Sequence, residues 1–417
     1  MKINVFSEIA PLKNVIIHSP IGEHRFLKQI NTIEYLNSKE NPDFLLFDDL
    51  VDSNYLVKEH KKLKFILDKF TRTKTITFQQ LLIDILDSDF IRSKIITEIL
   101  DSESVLYDNN ISESIFKSLS SEQISIIFIT GIYKNKPIFK YPLPNLIFTR
   151  DIGAVIGNSL LTTWSWHKSR QRESILTKYI VKNHVIFKNI NIFNFNKHFP
   201  NLSIEGGDIT IFSNKIVCIG ISQRTSLESI KALLPTIFKN NFKYVYAIEL
   251  PKERKFMHLD CVFTKINVNE CLVYPPLFIN NKIKYKIHRF NSKLECNVID
   301  SNDISLLNTF QNDGYNLKFI GCGGKSQNYQ DKELLTMGAN VFTLRPGVAV
   351  GYFRNKETLN ELKKFNYKII SSDEFCESGK LLDDEKYFIY IDENELSRGH
   401  GGIRCLTFPI ERDCINE

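Results

Sequence analysis

Four short polar clusters in this 417-residue chain hold the side chains best suited to covalent chemistry. The last is Ser397-Arg398-Gly399-His400-Gly401-Gly402-Ile403-Arg404-Cys405, a glycine-rich basic run ending in a thiol. A thiolate is a strong nucleophile near neutral pH, glycines let the backbone come close to a bound group, and Arg398 and Arg404 are expected to lower the thiol pKa or hold an anion. Taken alone, the run fits a buried free cysteine beside a tight turn at least as well.

The other three clusters supply partners for such a thiol. In Pro144-Asn145-Leu146-Ile147-Phe148-Thr149-Arg150-Asp151 an apolar run ends in an adjacent Arg and Asp, which by itself could be a surface ion pair. Glu205-Gly206-Gly207-Asp208 places two carboxylates around a double glycine, a common turn. Phe256-Met257-His258-Leu259-Asp260, followed by Cys261-Val262-Phe263, reads as an apolar strand whose period of two puts His258 and Asp260 on one face. That pair is either a general acid/base with an ionic partner or a hydrogen-bonded pair at a sheet surface. Arg170, Arg172 and Arg224 add cations that singly read as solvated surface groups. Together the clusters describe a pocket for a planar cation with an anionic tail. Two carboxylates bracket a guanidinium, arginines hold a carboxylate, and a thiolate attacks the central carbon.

The elements that must position these groups follow from punctuation and periodicity. Gly22 is followed by no glycine until Gly131, and Pro42 is the only proline between Pro20 and Pro137. Within that gap Leu63, Ile66, Leu67 and Phe70, then Leu81, Leu82, Ile85 and Leu86, recur at helical spacing. Residues 55–128 are therefore expected to form an α-helical insert. Around it, runs such as residues 14–18, 215–219 and 244–248 predict strands, with helices over 226–234 and 356–365 between some of them. The pattern gives an α/β fold interrupted by a helical insert, with the whole chain, 1–417, as one catalytic domain. No repeat of fixed period is visible.

Composition narrows the function classes. With 43% hydrophobic and 24% charged residues the chain can bury a large core. The net charge of +6 comes from dispersed lysines, not a basic stripe, so nucleic-acid binding is not implied. The first residues show no signal peptide, and no membrane span is read. Eight cysteines lack both a Cys-x-x-Cys pair and the density of a disulfide scaffold, which fits the cytoplasm. The nine histidines lack metal-site spacing.

The order and wording of these segments resemble the arginine deiminases, within the guanidine-modifying superfamily. The resemblance runs almost end to end: Ile3-Asn4-Val5-Phe6-Ser7-Glu8-Ile9, Leu45-Leu46-Phe47-Asp48-Asp49, the four clusters above, and Arg170-Gln171-Arg172-Glu173. It implies a five-module pseudo-symmetric α/β propeller with the helical insert near the N-terminus. It also implies hydrolysis of L-arginine to L-citrulline and ammonia through a covalent S-alkylthiouronium, with no metal or organic cofactor, and a homodimer or higher homo-oligomer. By the same resemblance Cys405 is the nucleophile, His258 the general acid/base, Glu205 the carboxylate that holds it, and Asp151 and Asp260 the guanidinium-gripping pair. Asn145, Arg170 and Arg224 match binders of the α-carboxylate end, Phe148 packs on the aliphatic stem, and backbone at Leu46 and Gly399 meets the substrate. The chain departs from the pattern in two places. His400 stands where some members carry a substrate-binding arginine, so the grip on the α-carboxylate is expected to be altered or supplied by Arg404, and Cys261 replaces a threonine. Two other readings stay open: a deiminase of another guanidino compound, such as agmatine or a methylated arginine, and a non-catalytic arginine-binding homologue.

Overall fold

Two antiparallel strands, then a helix, then a strand parallel to the second is the order in which most of the chain is built. The computed structural model describes residues 2–24, 51–102, 113–139, 141–165, 167–393 and 395–415. Gly153–Ile156 pairs antiparallel with Ser159–Thr162, the helix Gln171–Asn183 crosses over, and Asn191–Asn194 returns parallel to Ser159–Thr162. Ile209–Ile211, Ile216–Ile221, the helix Leu227–Lys239 and Tyr244–Glu249 repeat the order, and Lys286–Asn291 and Cys296–Asp300 extend that sheet. Phe263–Asn267 pairs with Glu270–Val273, which Lys318–Gly321 joins in parallel. Phe342–Arg345 and Val348–Tyr352 precede the helix Lys356–Lys364, and here Lys386–Ile391 lies between Val348–Tyr352 and Tyr367–Ser371. The fifth such sheet joins both ends of the chain: Phe408–Arg412 runs antiparallel to Leu12–Ile17, and Ile76–Thr77 lies parallel to it. Parallel neighbours require a crossover, and the helices supply it.

Local chemistry sets the boundaries of these elements. Ser226 caps Leu227–Lys239 by accepting the Ser229 amide at 3.1 Å, and Ile230, Leu233, Leu234 and Ile237 are buried at helical spacing. This helix runs past the expected end at 234, through Pro235, to Lys239. Ser120 and Gln123 form a capping box on Ser121–Thr130, which Gly131 ends at φ 75°.

Within the expected insert, Phe78–Leu86, Asp89–Ser102 and Ser121–Thr130 pack on one another or on Gln171–Asn183. The helix Ser53–Phe70 instead packs on Leu12–Ile17, Lys386–Ile391 and Ser372–Ser378, so it acts as the crossover of the fifth sheet. Among the described residues no helix is long and apolar enough to cross a membrane.

Candidate active site

The reactive side chains sit on tight turns between strands. His258 is the extended residue at the head of a 3₁₀ turn, Leu259–Cys261, and the strand begins only at Phe263, so the expected strand alternation through His258 and Asp260 does not occur. Glu205 likewise heads the turn Gly206–Asp208, and Asp151 follows the turn Pro144–Ile147. The turns are tied together by backbone: the Arg150 amide donates to the Cys405 carbonyl at 3.0 Å, and the Gly206 amide to the Asp151 carbonyl at 3.2 Å. The double glycine has a steric cause. A Cβ on Gly206 would collide with the Arg150 carbonyl, and one on Gly207 would lie 2.5 Å from His258 Nδ1 and 3.0 Å from Asp151 Oδ1.

One polar partner of Cys405 is a residue that sequence reading missed. Asn340 Nδ2 donates to Cys405 Sγ at 3.2 Å, while its Oδ1 accepts the amides of Arg404 at 3.1 Å and Cys405 at 3.3 Å. Asp260 Oδ2 lies 3.9 Å from the same sulfur. Burial first, then Asp260 and Asp151, raise the thiol pKa well above its ordinary value, and hydrogen bonding from the Gly402 backbone and the charge of Arg404 only oppose this. The expected lowering by nearby arginine is thus outweighed, and Arg398 is engaged elsewhere, with Nε 3.4 Å from Glu395.

His258 Nε2 lies 2.8 Å from Glu205 Oε2, and Nδ1 lies 3.8 Å from Asp151 Oδ1. Burial would lower the imidazole pKa, but Asp151, the hydrogen bond to Glu205 and the charge of Asp208 raise it to about 9. Glu205 is held below the usual carboxylate range. Its burial works against this, but Arg224 and His258 prevail, and Ser165 donates to its other oxygen at 2.6 Å. Beneath the ring Asp208 accepts the Leu259 amide at 3.0 Å and the Ser222 hydroxyl at 2.7 Å.

Each of the two paired carboxylates has its own arginine. Arg404 Nη1 donates to Asp260 Oδ2 at 2.8 Å, and Arg170 Nη1 to Asp151 Oδ2 at 2.6 Å. Asp151 Oδ1 is buried with no hydrogen-bond partner among the described residues, an acceptor left open. Arg170 also grips Glu173 through Nε at 2.9 Å and Nη2 at 2.8 Å, and donates to the Asn145 carbonyl at 3.1 Å.

These groups meet at a cavity of about 20 Å³. Cys405, His258, Asp151 and Arg170 line it with Asn145 and Phe148, and Gly399, His400 and Gly401 form one wall. A larger groove of about 600 Å³, walled by Lys94, Lys182 and Lys197, holds no thiol, so size does not locate the chemistry. Glu205, Asp260, Arg224 and Arg404 stand behind the lining residues. Arg404, expected at a substrate carboxylate, is 1% exposed and spends its donors on Asp260, Glu8, the Ile209 carbonyl and Thr210. Arg224 points Nη1 toward Glu205 Oε1 at 3.8 Å, and that nitrogen has no hydrogen-bond partner among the described residues. Leu46 and the segment 45–49 lie outside the described residues.

Asp151, Glu205 and His258 each bring one possible metal-ligand atom within 4.8 Å of the others.

The family model described as "Arginine deiminase" matches residues 130–412. An arginine deiminase of Mycoplasma capricolum is 30% identical over 100% of this chain and 98% of its own length, and one from Streptococcus pneumoniae is 32% identical over 99% and 98%. Among solved structures, an amidinotransferase from Microseira wollei in the saxitoxin biosynthetic pathway covers 99% of this chain and 98% of its own, at a TM-score of 0.51 and 13% identity. That last likeness is one of fold alone.

Proposed function

The chain belongs to the arginine deiminase family, and on that premise we propose how its residues hydrolyse L-arginine to L-citrulline and ammonia. The observation that carries the reading is the convergence of a thiol, a cationic imidazole and the Asp151 carboxylate on one small cavity, with Asp260 Oδ2 3.9 Å from the thiol sulfur behind it. The guanidinium binds between Asp151, through its open Oδ1, and Asp260. Its positive charge offsets the two carboxylates that hold the thiol proton in place, so binding favours release of that proton to solvent. Asn340 then donates to the resulting thiolate.

Cys405 Sγ attacks the guanidinium carbon and forms a C–S bond. His258, protonated because of Asp151 and Glu205, gives its proton to the departing nitrogen, the C–N bond breaks, and ammonia leaves an S-alkylthiouronium on Cys405. The imidazole, now neutral, takes a proton from water as the hydroxide adds to the same carbon. Collapse breaks the C–S bond, returns the thiolate, and leaves citrulline after loss of one proton to solvent. Glu205 and Asp151 stabilise the imidazolium in both resting and final states.

In this reading Asn145, Phe148, Arg170 and the Gly399 backbone, which line the cavity, contact the substrate, and Arg224, whose Nη1 has no hydrogen-bond partner among the described residues, binds its α-carboxylate end. A cavity of about 20 Å³ has room for little more than water, so entry of arginine requires displacement of the wall at residues 399–401. Among the described residues, five sheets of three or more strands, four built in one order and one with a strand added at its edge, support a pseudo-symmetric propeller with a helical insert, all serving one catalytic domain. The eight free cysteines support a cytoplasmic setting, and a homo-oligomer is proposed from the family alone. Incubation of the purified protein with L-arginine tests the activity: citrulline formation absent from a Cys405→Ser control supports it, and none above that control rejects it.

A further inference from the structure

Behind the cavity, Glu8 makes contacts that the proposed chemistry does not use. It comes from the N-terminal segment, is 5% exposed, and its amide is fixed to the Ile211 carbonyl at 2.8 Å. Its Oε1 accepts Arg404 Nη2 at 3.1 Å and Arg150 Nη1 at 3.4 Å. Each arginine adjoins a residue of the site: Arg404 precedes Cys405 and holds Asp260, and Arg150 precedes Asp151 and bonds the Cys405 carbonyl through its amide. Arg150 Nε also points at the Arg404 carbonyl, at 3.4 Å.

Resting on the arginine-hydrolysing reading, we propose that Glu8, acting through Arg404 and Arg150, is the positioning residue that fixes Asp260, Asp151 and the Cys405 loop in one geometry. Arg150, Arg404 and Arg412 are buried around Glu8, and Arg412 is anchored on the Ala10 and Thr343 carbonyls. Burial opposes ionisation of Glu8, but Arg404, Arg150 and Arg412 outweigh it and hold the carboxyl below its ordinary range. Arg404 can join Glu8 and Asp260 at once because its guanidinium is a planar fork, a geometry that lysine lacks.

The test uses Glu8→Gln and Arg404→Lys in the full chain, each checked for folding by circular dichroism. Arginine turnover gives kcat and KM, and iodoacetamide inactivation against pH reports Cys405 ionisation among Asp260, Asp151, His258, Cys261 and Arg404. Glu8→Gln is expected to raise KM for arginine at least tenfold, from loss of Asp260 alignment, and to move the inactivation profile to lower pH, because a negative charge has gone. Arg404→Lys is expected to raise KM similarly while leaving that profile in place, because the charge remains. Folded variants with wild-type KM and profile overturn the proposal, as does activity that falls only in step with folded protein. If Glu8→Gln does not fold, Arg404→Lys decides alone on the same two readouts. Inactive wild-type protein would instead defeat the reading on which the proposal rests.

Discussion

Asn340 Nδ2 lies 3.2 Å from Cys405 Sγ, and the same side chain accepts the Cys405 amide through Oδ1. One amide thus both holds the nucleophile's backbone and offers a hydrogen bond to its sulfur. A bond to a charged group contributes roughly 1.5–3 kcal/mol, so Asn340→Ala should lower kcat roughly 10- to 100-fold. Steady-state kinetics beside a urea melt checks this, and an unchanged kcat in folded protein would remove Asn340 from the mechanism.

Gly207→Ala places a Cβ 2.5 Å from His258 Nδ1. Neither that ring nor Asp151 can stay in place, and misplacement by about 1 Å can cost about 100-fold in rate. The expected result is a kcat loss of that order with soluble, folded protein. Wild-type turnover would mean that the ring position is not critical.

The His258 pKa, raised from 6.5 to about 9, gives two pH dependences with one sign. Stabilisation by the imidazolium is complete below pH 6.5 and is lost as pH rises through about 9. The destabilisation caused by His258→Gln should therefore shrink across that window, measured as the difference in urea midpoint from wild type. Turnover should fall over the same upper limb, because the neutral ring cannot protonate the leaving nitrogen. A mutant penalty that grew with pH would contradict the assignment.

Asp151→Asn leaves the buried Arg170 with Glu173 as its ion-pair partner among the described residues and removes one of the two carboxylates proposed to grip the guanidinium. Breaking a buried pair typically costs about 3–5 kcal/mol, so both stability and kcat/KM should drop. A kcat/KM equal to wild type would show that the guanidinium binds elsewhere.

The sequence made some of this legible and hid the rest for physical reasons. Helical spacing found the buried faces of Ser53–Phe70 and Phe78–Leu86, and short apolar runs found Ile216–Ile221 and Tyr244–Glu249, because one-sided burial writes its period into the chain. The recurring strand order stayed hidden because its connections differ in length: the third sheet is interrupted between Glu270–Val273 and Lys318–Gly321 by strands of the second. His258 and Asp260 lie at a turn and not on the strand that alternation suggests, since a 3₁₀ turn three residues long imposes too little periodicity to read. Asn340 carries no signal of its own, because an asparagine after Gly338 and Ala339 is indistinguishable from an ordinary loop residue until Cys405 is beside it. Arg404 was found as a cation, but its partners, Glu8 and Asp260, lie far away in sequence and emerge only on folding.

The central claim is that Cys405 attacks the guanidinium carbon, and trapping the adduct tests it most directly. Wild-type protein mixed with L-arginine, quenched in acid during turnover and digested, should yield a Cys405 peptide heavier by one arginine less one ammonia. Cys405→Ser should yield none. Citrulline formation with Cys405 unmodified at every quench time, or undiminished turnover by Cys405→Ser, would contradict the account.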